Sequence, residues 1–126
     1  MYIHFDEADH AAHASGGFSN EYYTAVKKID ALIGKIYKKI SDKGMMNDTL
    51  VILVADHGET KGGHGGNSKE ERSAILAVRG HSVKKTNFDG NLRNRDVAAI
   101  TLYALGIKVP SHFVSKVPSG LFGEPR

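Results

Sequence analysis

The stretch Val51-Ile-Leu-Val-Ala-Asp-His-Gly-Glu-Thr-Lys-Gly-Gly-His-Gly-Gly66 changes character at Asp56. Before it lies an unbroken apolar run, Leu50 to Ala55, rich in β-branched residues. Such a run reads as a strand buried on both faces, as in a parallel sheet. It stops at Asp56-His57, a carboxylate beside an imidazole. The carboxyl end of a buried strand is where open α/β sheets place their ligand sites. Five glycines then fall in the nine residues from Gly58 to Gly66, with His64 among them. Glycine permits positive φ and close backbone approach to a ligand.

Working outward, Tyr2-Ile-His-Phe5 is short, aromatic and β-branched, a candidate strand. Asp6 to Gly17 is polar, rich in small residues and closed by paired glycines, which reads as a loop. Inside it Asp9 and His13 are four residues apart, so one helical turn would put both side chains on one face, half of a zinc-type site. A helix begins near Ser19. Its apolar positions Tyr22, Val26, Ile29, Ile33, Ile36 and Ile40 form one stripe, lysines fill the other faces, and Gly44 is placed to stop it. Strand, loop, long helix and strand compose a βαβ crossover, which predicts parallel strands at 2–5 and 50–55. Both would end on one sheet edge, bringing Asp9 and His13 to Asp56, His57 and His64.

Beyond the glycines, Ser68-Lys-Glu-Glu-Arg72 reads as a charged turn and Ala74 to Val78 as a further buried strand, parallel to the others. Arg79 to Asn91 lacks periodicity and reads as loop. Asn94 is placed to cap a helix over 95–105, with Val97, Ile100, Thr101 and Ala104 toward the sheet, Gly106 ending it and Pro110 preventing its resumption. The tail from Pro110 reads as irregular chain over the surface. The fold class is therefore α/β, a mostly parallel sheet with flanking helices.

Composition narrows the function. The 126 residues fit one domain. There is no cysteine, which excludes disulfides, thiolate metal sites and a cysteine nucleophile. Any metal must be held by imidazole and carboxylate, and there are seven histidines. Net charge is +3, and the six lysines from Lys27 to Lys43 read as a solvated helix face rather than a nucleic-acid patch. No apolar run approaches a membrane span, and the first residues lack signal-peptide character. The glycine block lacks the Gly-Lys-Ser/Thr ending of a phosphate-binding loop.

Asp9-x-x-x-His13 after a short strand, and Asp56-His57-Gly58 after an apolar strand, resemble the alkaline phosphatase superfamily. The branch they look most like is the type I phosphodiesterases and nucleotide pyrophosphatases. Gly-x-His64-Gly so soon after Asp-His-Gly also resembles the superfamily's ethanolamine-phosphate transferases. Asn94-Arg-Asp-Val-Ala-Ala-Ile-Thr-Leu-Tyr-Ala-Leu-Gly-Ile, followed by Pro110, is similar to the helix after the last metal ligand in these enzymes. The resemblance runs from Tyr2 to about Phe122.

The resemblance implies a metal-dependent phosphodiesterase or phosphotransferase acting on a small phosphate ester. It implies two divalent ions, usually zinc, with manganese or magnesium as alternatives. By match, Asp9, His13 and His64 hold one ion, and Asp56 and His57 supply half of the second set. His81 and His112 are rivals to His64, which is favoured because its flanking glycines allow close approach. The nucleophilic hydroxyl and a further aspartate have no match here; Ser15 and Ser19 are hydroxyls outside the family's nucleophile context. The expectation is thus a C-terminal portion of an alkaline-phosphatase-like catalytic domain, inactive alone and prone to self-association. A non-catalytic metal-binding domain and a sulfatase-type hydrolase are the alternatives. Members of the family are often secreted, periplasmic or membrane-anchored, which leaves the compartment open.

Overall fold

The computed structural model describes residues 1–80, 82–85 and 92–123. They form two compact units: Met1–Met45 with His57–Ala74, and Met46–Asp56 with the chain from Ile75 onward.

The first unit is helical. α1 spans Glu7–Ser15 and α2 spans Asn20–Asp42. A loop was expected at α1. Four alanines, the best helix formers, outweigh its polar residues, and Glu7 and Asp9 sit in the first turn where the helix dipole favours acids. α1 packs against α2 with Ala12 buried. α2 follows its sequence closely. Ser19 caps it, its hydroxyl accepting from the Tyr22 amide at 3.1 Å. Tyr22, Ile29, Ile33, Ile36 and Ile40 are half-buried on one stripe, while Val26 is exposed. Phe18, just before the cap, stacks on Tyr23 as a hydrophobic staple that fixes the entry to the helix. A four-residue helix, α3 (Lys69–Arg72), carries a capping box where a bare turn was expected.

The second unit holds β1 (Leu50–Val54), β2 (Leu76–Gly80) and α4 (Asp96–Ala104). The strands pair antiparallel, with Leu50 opposite Gly80 and Val54 opposite Leu76. This corrects the expected parallel pairing. Residues 2–5 form no strand, so there is no βαβ crossover in the described chain. The apolar run correctly marks a strand but says nothing of its direction. Here the chain leaves β1, reverses through 55–75 and returns alongside it, and β2 has alternate residues half-buried on one face only. The architecture is mixed α and β with a two-stranded antiparallel sheet.

α4 contributes the buried Ala99 and Ile100, and Leu121 from the tail is also buried. Thr101 and Ala104, expected to face a sheet, are exposed. Asn94 does not cap α4. Its amide nitrogen donates to the Ala55 and Asp56 carbonyls at 2.9 and 2.8 Å, pinning the exit of β1. The carboxylate of Asp96, 6% exposed, instead accepts from the Arg93 and Lys116 amides, both at 2.9 Å. Much of the expected loop at 79–91 lies outside the described residues. Among the described residues no helix is long and apolar enough to cross a membrane.

Candidate metal centre

The helical turn from Asp9 to His13 and the loop from His57 to Gly66 meet within the first unit. Two features bring them together. The α1–α2 connection lies directly on the loop: a Cβ built on Gly17 would sit 1.9 Å from the Thr60 carbonyl oxygen. The loop itself reverses at Thr60–Gly63, where each main-chain N–H donates to the other's carbonyl at 3.2 Å. The Thr60 hydroxyl also donates to Gly63 O at 2.6 Å, and Glu59 accepts from the Thr60 amide at 2.9 Å. Gly63 and Gly65, at φ +107° and +106°, flank His64 in a backbone conformation that other residues rarely adopt. These two glycines are therefore required by the turn that presents His64.

Asp9, His13 and His64 converge, each offering one donor atom within 4.8 Å of the other two. His64 Nε2 lies 3.0 Å from Asp9 Oδ1 and 3.1 Å from His13 Nε2. His13 Nε2 lies 3.5 Å from Asp9 Oδ2. Ligand atoms at the corners of a tetrahedron around zinc, with bonds of about 2.0–2.1 Å, stand roughly 3.3 Å apart. The donor spacing matches, and so does the chemistry, one carboxylate and two imidazoles. The residues fit a divalent ion. His64 is the most enclosed of the three at 20% side-chain exposure and His13 the most open at 64%. One side of the site is left accessible to a ligand from solvent.

His57 joins this group. Its Nε2 is 3.9 Å from Asp9 Oδ1, and its ring stacks on that of His64 with centroids 3.8 Å apart. Its Nδ1 lies 2.8 Å from the Gly58 carbonyl oxygen. In the tautomer protonated at Nδ1 the ring donates there, with Nε2 turned toward Asp9. Metal-binding histidines are commonly oriented by such a backbone contact. Asp56 belongs to the second unit, where its carbonyl is held by Asn94.

Of the rival histidines, His112 is exposed and packs edge-on against Phe113, while His81 lies outside the described residues. His10 pairs with Asp6 at 3.6 Å, and His4 contacts Tyr2 edge-on. Ser19 is committed to capping α2. Burial, with the charges of Glu59 and Tyr23 beside it, raises the Tyr22 phenol above its ordinary value. Hydrogen bonds from Ser68 lower the Glu71 carboxyl, assisted by the Gly66 amide and the charge of His64. Glu71 and Asn94 were missed as site-related residues in the sequence. A Ser-x-x-Glu capping box was legible at Ser68, but its link to the histidine loop was not.

Residues 1–114 match the family model of the type I phosphodiesterases / nucleotide pyrophosphatases. Over 86 residues the chain is 35% identical to GPI ethanolamine phosphate transferase 2 of Kluyveromyces lactis, an alignment covering 68% of this chain and 10% of that protein. It is 28% identical to GPI ethanolamine phosphate transferase 1 of Candida glabrata, over 94% of this chain and 15% of the relative. It is 27% identical to the human GPI ethanolamine phosphate transferase 2 catalytic subunit, over 93% of this chain and 13% of the relative. The chain thus spans between a tenth and about a seventh of the length of these relatives. No solved structure matches it.

Proposed function

The chain belongs to the type I phosphodiesterase / nucleotide pyrophosphatase family of the alkaline phosphatase superfamily, and we propose that it carries the metal-binding part of a phosphotransferase active site. The observation that carries this reading is the convergence of Asp9, His13 and His64 on one point. In this reading the chain is the C-terminal, ligand-bearing portion of a larger alkaline-phosphatase-like catalytic domain with a mostly parallel sheet. The nucleophilic hydroxyl and one further aspartate come from outside the 126 residues. The substrate is a phosphodiester bearing ethanolamine phosphate, by analogy with the names of the relatives.

Asp9, His13 and His64 would hold one divalent ion, zinc before manganese or magnesium. Asp56 and His57, consecutive in the chain, would serve a second. Bound there, such ions neutralise charge on the transferring phosphoryl group and on the attacking and leaving oxygens. The residues of the chain set the conditions for this. One turn of α1 presents Asp9 and His13 on a common face. A single carboxylate with two neutral imidazoles leaves a divalent site net positive, which draws in a phosphate. The Gly58 carbonyl, 2.8 Å from His57 Nδ1, orients that ring with Nε2 toward Asp9.

The test is phosphorus NMR of O-phosphoethanolamine with the chain and manganese, comparing wild type, His13→Ala and His112→Ala. Paramagnetic broadening is expected in wild type and His112→Ala. In His13→Ala it is lost together with manganese affinity, by at least about 100-fold, more than the loss of an outer-shell partner. Equal manganese affinity in His13→Ala and wild type would sink the assigned ligand set. Tight manganese without broadening of the phosphorus signal would sink the phosphate-ester reading.

A further inference from the structure

We propose that Glu71 is a positioning residue that clasps the two ends of the loop carrying His57 and His64, and so holds their imidazoles ready for a cation. This rests on the metal-site reading above. The main-chain carbonyl of Glu71 accepts from the Gly58 amide at 2.8 Å, one residue after His57. Its side chain reaches the other end of the loop: Oε1 accepts from the Gly66 amide at 2.7 Å, two residues after His64. Oε2 accepts from the Ser68 amide at 3.0 Å and from the Ser68 hydroxyl. One residue thus closes the chain from Gly58 to Gly66 on itself.

A capping box explains only part of this. Such a box uses the Glu carboxylate to reach the N-cap amide, and Oε2 on Ser68 does that. The bond from Oε1 to Gly66 lies outside the box and serves the loop. The helix being capped is only Lys69–Arg72, too short to persist on local hydrogen bonding alone. The histidine rings need the support. They stack at 3.8 Å with 22° between their planes. His57 Nδ1 on the Gly58 carbonyl and His64 Nε2 on Asp9 orient the two rings, and both contacts keep their geometry only while the loop backbone is held.

The two ends depend on Glu71 differently. The Gly58 contact is made by the main chain and survives side-chain replacement. The Gly66 contact is made by the carboxylate and does not. Glu71→Ala should therefore free His64 while leaving the His57 backbone in place. The experiment follows the histidine ring protons by NMR in the metal-free chain and titrates the same samples with cobalt(II). Glu71→Ala is expected to move the His64 ring signals toward solvent-exposed values and weaken cobalt binding by about 10–100-fold, the usual cost of an outer-shell partner.

Ser68→Ala removes the hydroxyl that caps α3 and donates to Glu71 Oε2 but leaves the Gly66 amide on Oε1, so it should move both readouts much less than Glu71→Ala. Glu71→Gln retains one acceptor and should fall between wild type and alanine, carrying the test if the alanine variant fails to fold. Unmoved His64 signals in Glu71→Ala would overturn the clasp. So would equal effects in Ser68→Ala and Glu71→Ala, since the cause would then be capping of α3. If wild type takes up no cobalt while Glu71→Ala still releases the ring, the metal reading fails and the clasp stands.

Discussion

Replacing glycine by alanine should have opposite effects at two positions of the first unit. At Gly58, the glycine of Asp-His-Gly, an added Cβ would lie 1.9 Å from the Glu70 carbonyl oxygen and 2.4 Å from that of Ser73. Ordinary contact begins near 3.4 Å, so the deficit is about 1.5 Å, and both obstacles are backbone rather than yielding side chains. A shift that large also breaks the 2.8 Å bond from the Gly58 amide to the Glu71 carbonyl. Overpacking costs about 1–3 kcal/mol and the lost hydrogen bond about 1 kcal/mol, so Gly58→Ala should destabilise by roughly 2–4 kcal/mol. For a chain of this size that lowers Tm by roughly 6–20 °C.

Gly34 lies inside α2 with nothing within 4 Å of the position its Cβ would take. Alanine there should stabilise by about 0.5–1 kcal/mol, because it removes the entropy that glycine loses in a helix. Thermal melts followed by circular dichroism measure both variants side by side. A Gly58→Ala melt within a degree of wild type would refute the close-approach argument. Loss of stability in Gly34→Ala would show that α2 is covered on that face.

Asn94→Ala removes both bonds to the end of β1 and should cost about 1–2 kcal/mol, given the exposure of the site. Hydrogen exchange in β1 should quicken accordingly, and unchanged exchange would show that the strand exit is held by other means. Ser19→Ala removes the α2 cap and should cost about 1 kcal/mol, read as fraying of the first turn in amide exchange. Glu71 responds to acid. Its carboxyl is lowered in the folded chain, first by the Ser68 hydroxyl, so its contribution is complete above the ordinary value of 4.5 and is lost as pH falls through the lower folded value. The Gly66 and Ser68 amide signals should shift in that acid window in wild type and not in Glu71→Gln. A flat wild-type profile would contradict the hydrogen bonds assigned to the carboxylate.

The sequence alone carried whatever repeats or terminates within a few residues. The stripe from Tyr22 to Ile40, the Ser19 start and the Gly44 stop describe α2 almost to its ends, because apolar spacing and capping act over one or two turns. The end of a strand at Asp56 and the common face of Asp9 and His13 were legible for the same reason. The helix around that pair is masked in the sequence, because its polar residues and closing glycines resemble a loop while its four alanines favour a helix.

What tertiary structure decided are the long-range matters. Strand direction depends on the path by which the chain returns, and β1 carries no mark of it, so an apolar run compatible with a parallel sheet lies in an antiparallel pair. The contact from His64 to His13 spans 51 residues, and that from Asn94 to Ala55 spans 39. Side chains that meet across such distances are selected by the geometry of the folded backbone, to which their sequence neighbours contribute no periodic signal. Glu71 is the clearest instance: its neighbours specify a capped helical turn, and only the return of the loop to that turn joins its carboxylate to the chain that presents His64.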